Sequence, residues 1–119
     1  LAGHERVERV SFAGLADDPY HQLAQRYCNG RPASLLTFEI KGGYDAAVKF
    51  YDALGLFKRL VNIGDAKSLA CHPASTTHRQ MTPDEQANAG VTAGMIRLCV
   101  GIEHRDDILE DLRQALVAT

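Results

Sequence analysis

The stretch that most constrains the fold is Met95–Ile102 (MIRLCVGI), the most apolar strand candidate in the chain, with a single charge, Arg97, set inside it. It is far too short to cross a membrane, which takes about 18 or more apolar residues. It reads instead as a strand buried in a sheet, and such a strand needs neighbours to pair with and helices to cover it. The chain supplies both. Val7–Phe12 (VERVSF) alternates apolar and polar residues as a half-buried strand does, and Ser34–Ile40 (SLLTFEI) is rich in strand formers and ends at the turn Lys41-Gly42-Gly43. Leu56–Ile63 and Ser68–His72 read as two further strands joined through Gly64-Asp65, the best hairpin-type turn signal present.

Four helices fit between and after these strands. Asp18-Pro19 reads as an N-cap followed by proline at the first helical position, with Tyr20, Leu23, Ala24 and Tyr27 forming one apolar stripe. Asn29-Gly30 and Pro32 mark the loop after it. Tyr44–Leu54 places Ala47, Phe50, Tyr51 and Leu54 inward, with Gly55 suited to the position just past the helix end. Thr82, Pro83 and Glu85 form a capping box ahead of a short helix that Gly90 closes. The last helix, about Arg105–Val117, turns Ile108, Leu109, Leu112, Ala115 and Leu116 to one side and carries Asp106 and Asp107 in its first turn, where the helix dipole favours negative charge. The expected architecture is α+β, an antiparallel sheet covered by helices, in one domain over residues 1–119 with no repeat, low-complexity stretch or internal linker.

Charge and cysteine content exclude several classes of partner. The net charge is −2, from 13 basic and 15 acidic residues spread over both halves, so no basic patch marks a nucleic-acid binder. No basic start followed by an apolar run marks a secretory signal. Cys28, Cys71 and Cys99 are widely spaced, odd in number and without a CxxC pair, which fits buried free thiols in a reducing cytosol better than disulfides or zinc. The chain starts at Leu1 rather than methionine, as a processed product, a proteolytic fragment or an excised domain would.

Arg97 is the strongest candidate for chemistry. A guanidinium inside an apolar strand costs several kcal/mol to bury unless an anion compensates it, and its planar fork matches a carboxylate bidentately. The bland reading is a strand arginine whose head reaches solvent or pairs with an acid such as Glu103 or Asp65. Asn62-Ile63-Gly64-Asp65 is a polar loop that could offer backbone N–H groups and an amide to an anion, although turns use these residues anyway. His72, His78 and Cys71 lack the spacing and acidic company of a metal site, so a structural role is favoured. Ser75, Thr76 and Thr77 are expected to satisfy loop backbone groups rather than act as nucleophiles. Lys41-Gly42-Gly43 is too short and wrongly placed for a phosphate loop, and no nucleophile elbow or Ser-x-x-Lys occurs. These residues define a fold and one candidate anion-binding arginine, but no reaction.

A resemblance adds the rest. Asn62–Leu69 (NIGDAKSL), His72–His78 (HPASTTH) and Ile96–Glu103 (IRLCVGIE), together with Thr37–Gly43 (TFEIKGG) and Pro19-Tyr20-His21, resemble in order and spacing the C-terminal domain of the cystathionine γ-synthase-like family. These are fold-type-I pyridoxal-phosphate enzymes of cysteine and methionine metabolism. The first two phrases resemble the O-acetylhomoserine sulfhydrylase branch; γ-lyases and γ-synthases more often carry Ser-Leu-Gly-Gly where this chain has Asn62-Ile63-Gly64-Asp65.

The resemblance implies that Arg97 holds the substrate α-carboxylate and that Asn62 helps. Val61 falls where relatives carry a pocket residue linked to reaction specificity, and Cys99 stands where serine is usual. It further implies a cytoplasmic homotetramer that replaces the acetate of O-acetyl-L-homoserine by sulfide, giving L-homocysteine for methionine biosynthesis. Other members (cystathionine γ-synthase, O-succinylhomoserine sulfhydrylase, methionine γ-lyase) and a catalytically inert stand-alone binding domain are the alternatives. In the family a lysine in a separate large domain forms the Schiff base with pyridoxal 5′-phosphate. Lys41, Lys49, Lys58 and Lys67 do not sit in the family's Ser-x-Thr-Lys context, so these 119 residues are expected to orient substrate and to be inactive alone.

Overall fold

The apolar Met95–Ile102 stretch becomes the centre of a five-stranded sheet in the computed structural model, which describes residues 1–119. In chain order the elements are β1 (Val7–Ser11), α1 (His21–Cys28), β2 (Leu35–Ile40), α2 (Gly43–Ala53), β3 (Lys58–Arg59), β4 (Leu69–Cys71), a 3-10 turn at Pro73–Ser75, α3 (Pro83–Asn88), β5 (Met95–Cys99) and α4 (Arg105–Val117). The strands lie in the order β1-β2-β5-β4-β3, and helices cover the sheet, so the α+β expectation holds.

Strand alternation decides which side chains meet. Ile96 and Leu98 of β5 point to one face with Phe38 and Ile40 of β2 and Ala70 of β4. α2 and α4 close over that face with Ala47, Phe50, Ile108, Leu112, Ala115 and Leu116. The Phe38 and Phe50 rings meet edge to face at 5.4 Å between centroids, a favoured aromatic geometry. Full burial of a side chain the size of Phe50 contributes about 1.5–3 kcal/mol.

The intervening residues point to the opposite face. Thr37, Arg97 and Cys71 form one row across β2, β5 and β4, and Leu35, Cys99 and Leu69 form the next. Cys71 and Cys99 are buried there, Cys71 against Thr76 and Cys99 beneath Gly64 of the 60–68 segment.

Several local expectations are corrected. Leu56–Ile63 and Ser68–His72 do not form a hairpin: β3 is only two residues long and runs parallel to β4, with Lys58 opposite Leu69. A parallel pair cannot be closed by a tight turn, so residues 60–68 travel back along the end of β5, and Gly64 (φ +77°) turns within that excursion. Asp18 does not cap α1. Its carboxylate accepts the N–H groups of Phe12 and Tyr20, both at 2.9 Å, and the helix begins at His21. The apolar stripe of α1 is mostly exposed: Ala24 is buried, while Tyr20, Leu23 and Tyr27 face outward with Cys28. Gly55 is not a left-handed helix stop, since α2 ends on Leu54 in extended conformation. β5 ends at Cys99, three residues early, and Leu109 lies on the outer side of α4.

Other expectations hold residue by residue. The capping box of Thr82 and Glu85 is complete, with Pro83 leading α3 and Gly90 at φ +75° beyond its end. α4 spans Arg105–Val117, and His104 caps it by accepting the Asp106 N–H.

Candidate functional site

Arg97 leaves β5 on the face away from the hydrophobic core, half-buried, with Thr37 and Cys71 as its neighbours in register. Its guanidinium Nη2 donates one long hydrogen bond, 3.4 Å, to the backbone carbonyl of Asn62. Neither acid considered as its partner pairs with it. Glu103 receives the Ser68 N–H at 2.7 Å and the Ser68 hydroxyl at 2.8 Å, and Asp65 Oδ1 receives the Lys67 N–H at 2.9 Å. The ion pairs of the protein all lie elsewhere, at Asp52–Arg59, His104–Asp106, Arg105–Asp106 and Glu110–Arg113. Arg97 is therefore a cation without a carboxylate, held by one carbonyl, with most of its donor fork uncommitted.

Asn62 is brought to Arg97 through its main chain rather than its side chain. Its side-chain Oδ1 accepts the N–H of Ile63 at 2.9 Å, an Asx-type contact that shapes the loop, while its carbonyl faces the guanidinium. Leu60, Val61 and Ile63 around it are exposed. A half-buried cation with uncommitted donors, beside a loop that carries exposed apolar side chains, can take a small anion, with the fork on its carboxylate.

The loop is fastened at its far end. Besides the two bonds from Ser68 to Glu103, the Gly101 N–H donates to Ser68 Oγ at 2.9 Å and the Ile102 N–H to the Ala66 carbonyl at 3.0 Å. Partial burial works to raise the pKa of Glu103, but the Ser68 N–H and hydroxyl outweigh it, and its carboxyl titrates below the usual range despite the nearby Asp65 charge. A side chain at Gly101 would stand 2.5 Å from both the Ala66 carbonyl and the Ser68 nitrogen, so only glycine fits. In the middle of the loop the Gly64 N–H reaches Cys99 Sγ at 3.4 Å.

One buried carboxylate has no local signal in the sequence. Asp111 sits on the buried side of α4, where the apolar spacing would place another aliphatic residue. It receives the backbone N–H groups of Gly55, Leu56 and Phe57 at 2.8, 2.9 and 3.1 Å, and Gln114 Nε2 donates to it at 3.0 Å. Burial works to raise its pKa, and these donors more than reverse the effect, leaving the carboxyl below its ordinary value. The Gly55–Phe57 segment that leads from α2 into β3 thus hangs on α4. Only an i+56 relationship would have revealed it, and no local pattern carries that.

His72 is fully buried, with Nε2 on the Ala93 carbonyl at 2.9 Å and Nδ1 on Ser75 Oγ at 2.8 Å, and the Tyr44 ring packs against its edge at 5.2 Å. The carbonyl can only accept, so Nε2 donates to it. Thr76 Oγ1 returns a bond to the His72 carbonyl at 2.7 Å, and Thr77 Oγ1 contacts His78 Nδ1 at 2.8 Å. No cluster of three or more His, Cys, Asp or Glu side chains converges as a metal site would require.

A Schiff-base cofactor needs an enclosed lysine, and no lysine here is placed for one. Lys41, Lys49, Lys58 and Lys67 are all exposed, and Lys41 Nζ is spent on the Glu5 carbonyl at 2.8 Å. Five open hollows of about 210–520 Å³ on the surface are bounded by neither Arg97 nor any lysine. The group here with free donors is the Arg97 guanidinium, whose planar fork has the geometry to take a carboxylate.

Comparison with known proteins places the chain in a family. Residues 1–117 match the family described as Cys/Met metabolism PLP-dependent enzyme. The chain is 53% identical over 117 residues to the O-acetyl-L-homoserine sulfhydrylase of Leptospira meyeri, covering 98% of this chain and 26% of that protein. It is 46% identical over 119 residues to the L-methionine gamma-lyase of Pseudomonas putida, covering 100% of this chain and 30% of that one. Among solved structures it superposes with TM-score 0.88 and 40% identity on a Campylobacter jejuni chain named as an O-acetylhomoserine (thiol)-lyase, which carries an N′-pyridoxyl-lysine-5′-monophosphate. The match covers 98% of this chain and 28% of that one, so the chain spans less than a third of the length of the proteins it resembles. It belongs to the Cys/Met metabolism family of pyridoxal-phosphate-dependent enzymes.

Proposed function

We propose that these 119 residues are the C-terminal substrate-carboxylate-binding domain of an O-acetyl-L-homoserine sulfhydrylase, which makes L-homocysteine and acetate from O-acetyl-L-homoserine and sulfide for methionine biosynthesis. The observation that carries the proposal is Arg97: a strand guanidinium with no acidic partner, beside the Asn62 carbonyl, in a chain whose family acts on amino acids of the cysteine and methionine group. A relative 53% identical bears the sulfhydrylase name.

On this reading the cofactor and its lysine belong to a large domain outside these residues, and the enzyme works as a cytoplasmic homotetramer. Pyridoxal phosphate supplies the electron sink for breaking and making bonds next to the amino-acid carbon. The part played by this chain is orientation. Arg97 takes the α-carboxylate in its fork, the Asn62 loop closes one side, and fixing the carboxylate sets the rest of the substrate in place. Val61, small and apolar on the same loop, leaves room for a compact nucleophile such as sulfide.

The methionine gamma-lyase relative supports a second reading within the same family, elimination from a sulfur amino acid rather than replacement. The full-length enzyme given O-acetyl-L-homoserine with sulfide should form homocysteine, and given O-succinyl-L-homoserine or L-methionine should turn over far more slowly. Faster turnover of either alternative overturns the assignment.

A further inference from the structure

The segment that faces Arg97 has almost nothing of its own to hold it in place. Leu60 to Gly64 are all exposed, and Leu60, Val61 and Ile63 bury no side chain in the core. Asn62 spends its side chain on its own neighbour. Apart from the long contacts of Gly64 with Cys99 Sγ and of the Asn62 carbonyl with Arg97, the loop is fastened where it rejoins the sheet, and there the fastening centres on one carboxylate. Both oxygens of Glu103 are occupied by Ser68, which is itself fully buried, and Ser68 Oγ in turn accepts the Gly101 N–H. Gly101 admits no side chain because the Ala66 carbonyl and Ser68 nitrogen press on it. β5 and the return of the loop are thereby locked in one register, with Arg97 at one end of the pair and Glu103 at the other.

We infer that Glu103 is a positioning residue: by clamping Ser68 against Gly101 it sets where the Asn62 loop lies over Arg97, and so sets the affinity for a substrate carboxylate. The inference rests on the reading of Arg97 given above. It assigns to Glu103 no contact with substrate. A charged acceptor suits the task, since hydrogen bonds to an ionised carboxylate are about twice as strong as neutral ones.

The test uses the full-length holoenzyme and two probes that differ only in the carboxylate, L-2-aminobutyrate and n-propylamine, each as a competitive inhibitor. For Glu103→Ala the inhibition constant for L-2-aminobutyrate is expected to rise about 10-fold, with that for n-propylamine nearly unchanged. KM for O-acetyl-L-homoserine should rise while kcat stays close to that of the parent. In an Arg97→Ala background the same substitution should add nothing, because the two act on one interaction. Glu103→Gln, which keeps an acceptor for the Ser68 N–H, should restore most of the affinity. If Glu103→Ala fails to fold, Ser68→Ala tests the clamp by removing the hydroxyl link alone and should show the same selective loss. Equal weakening of both probes, no weakening of either, or full additivity with Arg97→Ala overturns the inference. The two readings fail separately: an Arg97→Ala enzyme that binds L-2-aminobutyrate as well as the parent defeats the carboxylate site itself. An enzyme sensitive at Arg97 but indifferent at Glu103 and Ser68 defeats only the clamp.

Discussion

Asp111 Oδ1 accepts the backbone N–H of Gly55 at 2.8 Å, tying the last helix to the end of a helix 56 residues earlier. The other oxygen takes Leu56 and Phe57, so one carboxylate satisfies three consecutive amides that neither helix nor strand provides for. Gly55 is not in the left-handed region, and a Cβ there would meet this carboxylate only at ordinary contact distance, 3.4 Å, so its place in the fold is as the first of the three amides the carboxylate takes.

Replacing Asp111 by Ala leaves those amides without partners, at a cost of about 3 kcal/mol. Hydrogen exchange at Gly55–Phe57 should accelerate more than anywhere else. Uniform acceleration across the sheet would show that the carboxylate is not a local anchor.

The same group gives a pH signature. Its folded pKa lies below the unfolded value, so the stability it contributes is fully present above about pH 4, the unfolded carboxylate value. It is lost as the pH falls through the folded pKa. Acid unfolding followed by near-ultraviolet circular dichroism should be less steep in this range for Asp111→Asn than for the parent.

Phe50 is completely buried between α2 and the sheet and meets Phe38 edge to face. Phe50→Ala should destabilise the domain by about 3–5 kcal/mol, read as a lower urea midpoint. Phe50→Leu should lose much less. A small effect from the alanine variant would mean that the site collapses onto the gap.

Arg97→Ala should raise KM for the amino-acid substrate about 100-fold or more, as loss of a bidentate carboxylate contact does, and leave cofactor absorbance as it was. Arg97→Lys should recover only part of the loss, since an ammonium cannot reproduce the planar fork. Loss of absorbance in either variant would place Arg97 in cofactor retention instead.

At Thr82 the expected result is nearly silent. Thr82→Ala removes the cap of an exposed six-residue helix, worth about 1 kcal/mol. Amides of α3 should exchange about 5-fold faster, with steady-state kinetics unchanged. A kinetic defect would give α3 a role that its exposure does not suggest.

Where a local signal has a local cause, the sequence was a sufficient guide. The capping box, the apolar face of α4 apart from Leu109, and β5 with its single charge all follow from contacts within a few residues. The resemblance likewise lay in short phrases, and the family match over residues 1–117 agrees with it. The misreadings share another cause. Gly64-Asp65 has the chemistry of a hairpin turn, but β3 pairs parallel to β4, and strand direction is fixed by the partner rather than by the turn residues. Tyr20, Leu23 and Tyr27 have the spacing of a buried stripe, yet nothing in these residues covers them.

By itself, the sequence determined the α+β class, most of the elements, the family and the singular status of Arg97, because periodicity, capping and charge in an apolar run are read over short spans of chain. Only the tertiary structure decided that Arg97 has no acidic partner, that Glu103 is committed to Ser68, and that Asp111 holds the α2–β3 connection. Each depends on which of several chemically equivalent groups lie within about 3 Å of one another, and that is settled by the packing of strands and helices distant in the chain.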